Sequence, residues 1–351
     1  MIRRALVLAG LLALTPAAHA QQPIAADVAA VWRHEQSGLS APPQLAGFDR
    51  YTISQYDKAQ RDVAIGYRDQ ASHTETTLYV FFAGLPDVSL WHDRIKVAMG
   101  AGMLGTPDFA TAQQATFTAP GETAPGGLRT SVAMTGKNTV ASGVAIFAHN
   151  GWLIAVRMSS HTLDRDALDA RLAAFVAALP VPSGKAAPAP VYVVQPCTDA
   201  FDPPPAKPVD SGASPMAAVA MGIEAAAMEK VDHPATGHWC RGTPSQLGFG
   251  VYRREGTPGY VIAIGDSGSA VSVQPDLVTS ELNKGTAAFA VFLSTTSDRT
   301  GYGVFAGVPA FGQAIDLINA HHPLVGVNRS TMPGEKTTIN IFTNDPPKKA
   351  P

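Results

Sequence analysis

Phe82-Ala83-Gly84-Leu85-Pro86 closes an apolar, strand-like run and opens a helix-like one, and the cassette returns as Phe305-Ala306-Gly307-Val308-Pro309. Glycine lets the chain turn out of a strand. Proline suits the first turn of a helix, where its missing N–H would be unpaired in any case. Upstream, Gln44-Leu45-Ala46-Gly47-Phe48 is echoed by Gln246-Leu247-Gly248-Phe249. Tyr79 and Tyr302 stand at equal distances before the two cassettes, and Asp93 with Ile95 is matched by Asp316 with Ile318 after them. Landmarks recurring in the same order argue for an internal duplication. The fold class that follows is α+β: two domains with antiparallel sheets covered by helices, possibly related by that duplication. The second copy is the shorter, with one strand after its cassette helix where the first has four strands and a helix.

Around the first cassette, residues 48–56, 62–68 and 74–83 alternate β-branched or aromatic residues with polar ones, which predicts strands with one wet face. Leu90, Trp91, Ile95, Ala98 and Met99 then form a helical stripe. Further strands are predicted over 112–118, 128–134, 140–148 and 152–159, the last two joined by His149-Asn150-Gly151, because Asn-Gly suits a two-residue hairpin turn. A helix over 164–179 follows, with Thr162 as its N-cap, and a short amphipathic helix is predicted earlier, over 25–36. The order of elements over 24–180 resembles that of the PsbP-type fold of photosystem proteins, a resemblance of order that implies no function. Beyond the linker, strands are predicted over 247–253, 260–264, 270–273, 287–294, 302–306 and 337–342, with helices over 216–230 and 309–320.

The N-terminus reads as a secretory signal peptide over residues 1–20. Arg3 and Arg4 form its positive region, Ala5 to Thr15 its apolar region, and Ala18-His19-Ala20 its cleavage site. The apolar run is about half the ~20 residues of a spanning helix, so no transmembrane segment is expected after cleavage. The expected divisions are an N-terminal α+β domain over 21–180, a Pro/Ala-rich linker over 181–190, a C-terminal α+β domain over 191–345 and a polar tail over 346–351. Charged residues make up 15% of the 351, against a typical ~25%, and the net charge is −2, a balance that argues against nucleic acid as a partner. Cys197 and Cys240 are the two cysteines, and in an oxidising compartment they should pair as a disulfide.

Three groupings are candidates for chemistry. Gly265-Asp266-Ser267-Gly268-Ser269 resembles the surround of the nucleophile in trypsin-like serine proteases, a resemblance that would make Ser267 the attacking residue with a His and an Asp placed earlier in the chain. Only the serine neighbourhood matches. His233 and His238 lie too close upstream for that family's architecture, and Asp-Ser-Gly-Ser is turn composition, so the run reads first as a hairpin turn. His233 and His238, with Cys240, form a second grouping with zinc-ligating atoms, but structural zinc takes four ligands at tighter paired spacings. His321-His322 ends a helix, and adjacent residues cannot form the i, i+4 pair of a metal site. No cofactor or metal is expected. The sequence therefore reads as an exported, soluble envelope protein, periplasmic or secreted. It would be a non-catalytic binding or interaction module for an envelope partner or small ligand, with a serine hydrolase using Ser267 as the alternative.

Overall fold

In the first part of the chain, alternating residues build strands β1 (Phe48–Gln55), β2 (Asp62–Asp69) and β3 (Thr74–Phe81), with Val63, Ile65, Tyr67, Leu78 and Val80 sent to one buried face. The computed structural model describes residues 21–100, 104–184, 187–209, 219, 221–223, 225–226, 237–246, 248–266, 268–282, 285–329 and 337–342. These fall into two units, one of the described residues up to Val194 together with Gly265, Asp266 and Gly268, and the other of the remaining described residues from Gln195 onward.

In the first unit the chain leaves β3 for helix α1 (Val88–Met99), then forms β4 (Thr106–Thr118), β5 (Pro125–Thr135), β6 (Ala141–His149), β7 (Trp152–Ser160) and helix α2 (Arg165–Ala177). All pairings in this nine-stranded sheet are antiparallel, and its principal strands run β1-β2-β3-β7-β6-β5-β4. The crossover after β3 places β4 at the far edge, and β7 returns beside β3. Asn150 (φ 50) and Gly151 (φ 84) make the β6–β7 turn, with His149 opposite Trp152. Helix α1 packs on β5 and β6, as does α2, but from the other side: Thr130 reaches His92 of α1 while its neighbour Ser131 reaches Asp169 of α2. Asp87 caps α1 by accepting from Leu90 N at 2.9 Å, and Asp164, not Thr162, caps α2 by accepting from Ala167 N at 2.8 Å.

The second unit contains β8 (Gln195–Pro196), β9 (Lys207–Val209), β10 (Trp239–Gln246), β11 (Phe249–Arg254), β12 (Tyr260–Ile264), β13 (Ser269–Pro275), α3 (Leu277–Leu282), β14 (Ala288–Ser294), β15 (Asp298–Ala306), α4 (Phe311–Asn319), β16 (Val325–Asn328) and β17 (Ile339–Ile341). From β10 to β17 the sheet is an antiparallel meander in sequence order, with β8 added in parallel to β10 and β9 added to β15. Of the helix expected over 216–230, residues 219, 221–223 and 225–226 are described and helical, with Met221 and Ala225 buried.

The α+β class with helix-covered sheets is overturned. Among the described residues strand takes up 44% and helix 16%, so the fold is dominated by two large antiparallel sheets. Helices do not blanket them. In the first unit much of the core cover comes instead from the helix-free segment before β1, where Leu39 and the two-residue strands Ser40–Ala41 and Gln44–Leu45 place Leu39, Ala41 and Leu45 in the core. The helix expected over 25–36 is absent. Arg50, itself buried, donates to the carbonyls of Asp27 (2.9 Å), Ala30 (2.8 Å) and Ala41, and so claims two acceptors that a helix over this segment would use itself. Val28 and Val31 are consequently 67% and 62% exposed.

The two sheets differ in strand order, the first being reordered by a crossover and the second a meander. The two cassettes are local joints. Gly307 (φ 97) turns the chain out of β15, and Pro86 and Pro309 each stand one residue before the N-cap of the following helix, outside its first turn.

Candidate functional site

On the face of β2, β3 and β7 opposite the aliphatic core, small residues make a floor from which polar ones rise. Ala64 and Ala155 lie directly opposite Tyr79 on either side, and Gly66 lies opposite Thr77. A β-carbon on Gly66 would meet the Tyr51 ring at 2.7 Å, so the missing side chain is what lets Tyr51 lie across β2. Arg68 stacks on the other part of that ring, 3.9 Å from its centroid. Asp62 starts β2 at the same end as Tyr79.

The turn before β2 is built from below. Tyr56 N donates to Asp62 O at 2.9 Å and closes the hairpin, while Asp57 Oδ1 accepts from Ala59 N at 2.8 Å. Gln36 donates to Ala59 O at 2.7 Å, and His34 Nε2 donates to Gln60 O at 2.8 Å. The carbonyl can only accept, so His34 is the Nε2–H tautomer, and its Nδ1 accepts from the Ser37 hydroxyl at 2.8 Å. Burial holds His34 below the ordinary imidazole value, against the opposing pull of the Gln60 bond, Asp57 and Glu35. It packs edge-on to Trp152, with ring centroids 4.8 Å apart.

The same turn gathers acidic groups. Asp57 Oδ2 is buried without a hydrogen-bond partner, and Asp62 is pushed up to about 7, by burial above all and then by the charge of Asp57. Tyr56 is pushed up to about 12 by burial and by Tyr79 and Asp62, and burial raises Tyr79 against the opposing pull of Arg157. Near neutral pH the patch thus offers two phenolic O–H donors and a carboxyl poised between donor and acceptor. Such a set can hold the lone pairs of a polar ligand.

Ser267 and His233 lie outside the described residues. His238 is exposed, and Cys240 is committed to a disulfide with Cys197 across a sequence separation of 43, which removes its sulfur from the zinc grouping. Among the described residues no group of three or more His, Cys, Asp or Glu could hold a metal ion, and no helix is long and apolar enough to cross a membrane. Sequence reasoning passed over Asp62 and Tyr79 as a site, reading 62–68 and 74–83 only as strands with one wet face. What it lacked was the pairing that sets β3 and β7 beside them. No protein-family model matches the chain, and no curated protein matches it.

Proposed function

We propose that this chain is an exported envelope protein that binds a small polar ligand without transforming it, through the Tyr56–Asp62–Tyr79 face of its first unit. The observation that carries the binding reading is the grouping of Tyr56, Asp62 and Tyr79 on one sheet face, where Tyr79 stands between Ala64 and Ala155 and two phenols lie near a carboxyl of raised affinity for its proton. A ligand suited to this face is neutral and rich in carbonyl or hydroxyl oxygens, since a buried carboxyl near its titration point opposes a second negative charge. The Cys197–Cys240 disulfide and the signal-like residues 1–20 support export to an oxidising compartment.

Saturation-transfer NMR of the chain from Gln21 onward, against a panel of neutral oligosaccharides and uncharged short peptides, tests the binding reading. A hit that weakens at least ten-fold in Tyr79→Phe and in Asp62→Asn supports it, and hits indifferent to both substitutions overturn it. Fluorophosphonate labelling that disappears in Ser267→Ala would put the hydrolase reading in its place. For export, the mature N-terminus recovered from the periplasmic fraction should lie near Gln21, and retention of the uncleaved chain in the cytoplasm would sink that part.

A further inference from the structure

In the second unit, residues 197–209 lie as an extended strap held by four kinds of contact, each of which a separate peptide could make. The Asp199 carboxylate takes a 2.6 Å bond from Arg253 Nη2, which holds it below the ordinary carboxylate range. Two residues on, Phe201 enters an aromatic socket: its ring centroid lies 5.8 Å from that of Tyr260 and 5.9 Å from that of Phe311, with the Arg253 guanidinium 4.6 Å above it. Further along, the Gln313 side chain reads the backbone of Ala206 from both sides, accepting from its N–H and donating to its carbonyl, each at 2.8 Å. Finally Lys207–Val209 adds an antiparallel strand to the part of β15 that β16 leaves uncovered, with Lys207 opposite Ala306 and Val209 opposite Val304. Pro208 is tolerated there because the added strand lies at an edge.

Main-chain capture by strand addition, an amide that reads backbone irrespective of side chain, one aromatic anchor and one charge pair are together how grooves bind extended peptides. We propose that this groove is a peptide-recognition site occupied in cis by the strap. Its preferred trans ligand is an extended, proline-containing peptide with an acidic residue two positions before an aromatic one. The Cys197–Cys240 disulfide holds the leading end of the strap, two residues before Asp199, and Cys240 lies directly opposite Arg253. Reduction by a dithiol is the gate. One thiolate of the dithiol attacks a bridge sulfur and releases the other cysteine as a thiolate. The second thiol then resolves the mixed disulfide, so two electrons and two protons pass to the cysteines and the dithiol becomes the disulfide. The strap's leading end is then tethered by the short β8 pairing and the exposed Asp199 pair, and the groove opens to exchange.

The test uses the full chain carrying Phe201→Ala, which weakens the cis occupant, and a fluorescein-labelled peptide of residues 198–209. In dithiothreitol, anisotropy should saturate, with affinity at least ten-fold above that of the oxidised chain. Affinity should fall at least ten-fold when Gln313→Ala is added to the protein or when the peptide itself carries Phe201→Ala. No saturable binding by the reduced chain with an unchanged circular-dichroism spectrum would overturn the site, and equal affinity in both redox states would overturn the gate. Should Phe201→Ala fail to fold, the same titration is made on the reduced wild-type chain, with limited proteolysis between residues 198 and 206 as the second readout. Protection of the strap unchanged by reduction would overturn the gate there too.

Discussion

His34 Nε2 donates a 2.8 Å hydrogen bond to the carbonyl oxygen of Gln60, 26 residues further along the chain, and so ties the helix-free N-terminal segment to the turn that carries Asp57 and Asp62. Gln60 sits at φ 56, a left-handed conformation that a non-glycine residue holds at a cost, and this part-buried bond helps to keep it there.

Replacing His34 with Leu leaves the Gln60 carbonyl and the Ser37 hydroxyl without their buried partner. The expected loss is about 2 to 4 kcal/mol, seen in urea unfolding as a lower midpoint at unchanged slope. The imidazole also gives a pH signature. Its folded-state value lies below the unfolded 6.5, so the unfolded chain takes up the proton first and this contribution to stability is lost as the pH falls below 6.5. His34→Leu should remove that part of the acid sensitivity, and an unchanged profile would count against the assignment.

Asp62 gives a slope of opposite sign. Its carboxyl is raised from 3.8 to about 7, so between these values the folded state holds the proton and the unfolded state does not. The stability that Asp62 contributes is complete below about pH 4 and is lost as the pH rises towards 7. Asp62→Asn should therefore stabilise the protein relative to wild type at pH 8, by up to about 4 kcal/mol, and give little or no gain at pH 4. Melting temperatures at the two pH values measure the difference, and an equal shift at both would contradict the assignment.

Asp169 ties α2 to the sheet by accepting a bidentate pair from Arg129, at 2.9 and 2.8 Å, and a third bond from Ser131 at 2.9 Å. Removing it strands a largely buried guanidinium. Asp169→Ala is expected to cost about 3 kcal/mol, and Arg129→Met combined with it should recover part of the loss because the orphaned charge goes too. A denaturant-based double-mutant cycle reads both numbers.

The Cys197–Cys240 bridge closes a loop with a sequence separation of 43, for which chain entropy predicts about 4 kcal/mol of stabilisation. Cys197→Ser with Cys240→Ser should lower stability by about that amount and abolish the effect of dithiothreitol on the melting curve. Reductant sensitivity persisting in the double variant would show that another process is being read.

Local pattern was legible wherever a residue's neighbours along the chain decide its conformation. Asn150-Gly151 makes its hairpin turn, and Leu168, Leu172, Phe175 and Val176 form the buried stripe of α2. It misled where a distant residue intervenes. Val28, Val31 and Trp32 have helical spacing, yet Arg50 takes the carbonyls of Asp27 and Ala30 and the helix does not form. The proline-rich segment around Lys207–Val209 has the composition of a loop, and it becomes a strand because β15 offers an open edge.

From the sequence alone came the strand alternation, the two sheet-to-helix joints and the pairing of Cys197 with Cys240. Each rests on spacing, on turn chemistry or on there being two cysteines, all of which are local or combinatorial. Strand order and register belong to the tertiary structure, and with them the setting of Tyr79 between Ala64 and Ala155, the rise of Asp62 to about 7 and the seating of Phe201 on Tyr260 and Phe311. These depend on desolvation and on contacts between residues far apart in the chain. The interaction that decides them exists only once the sheet has closed around them.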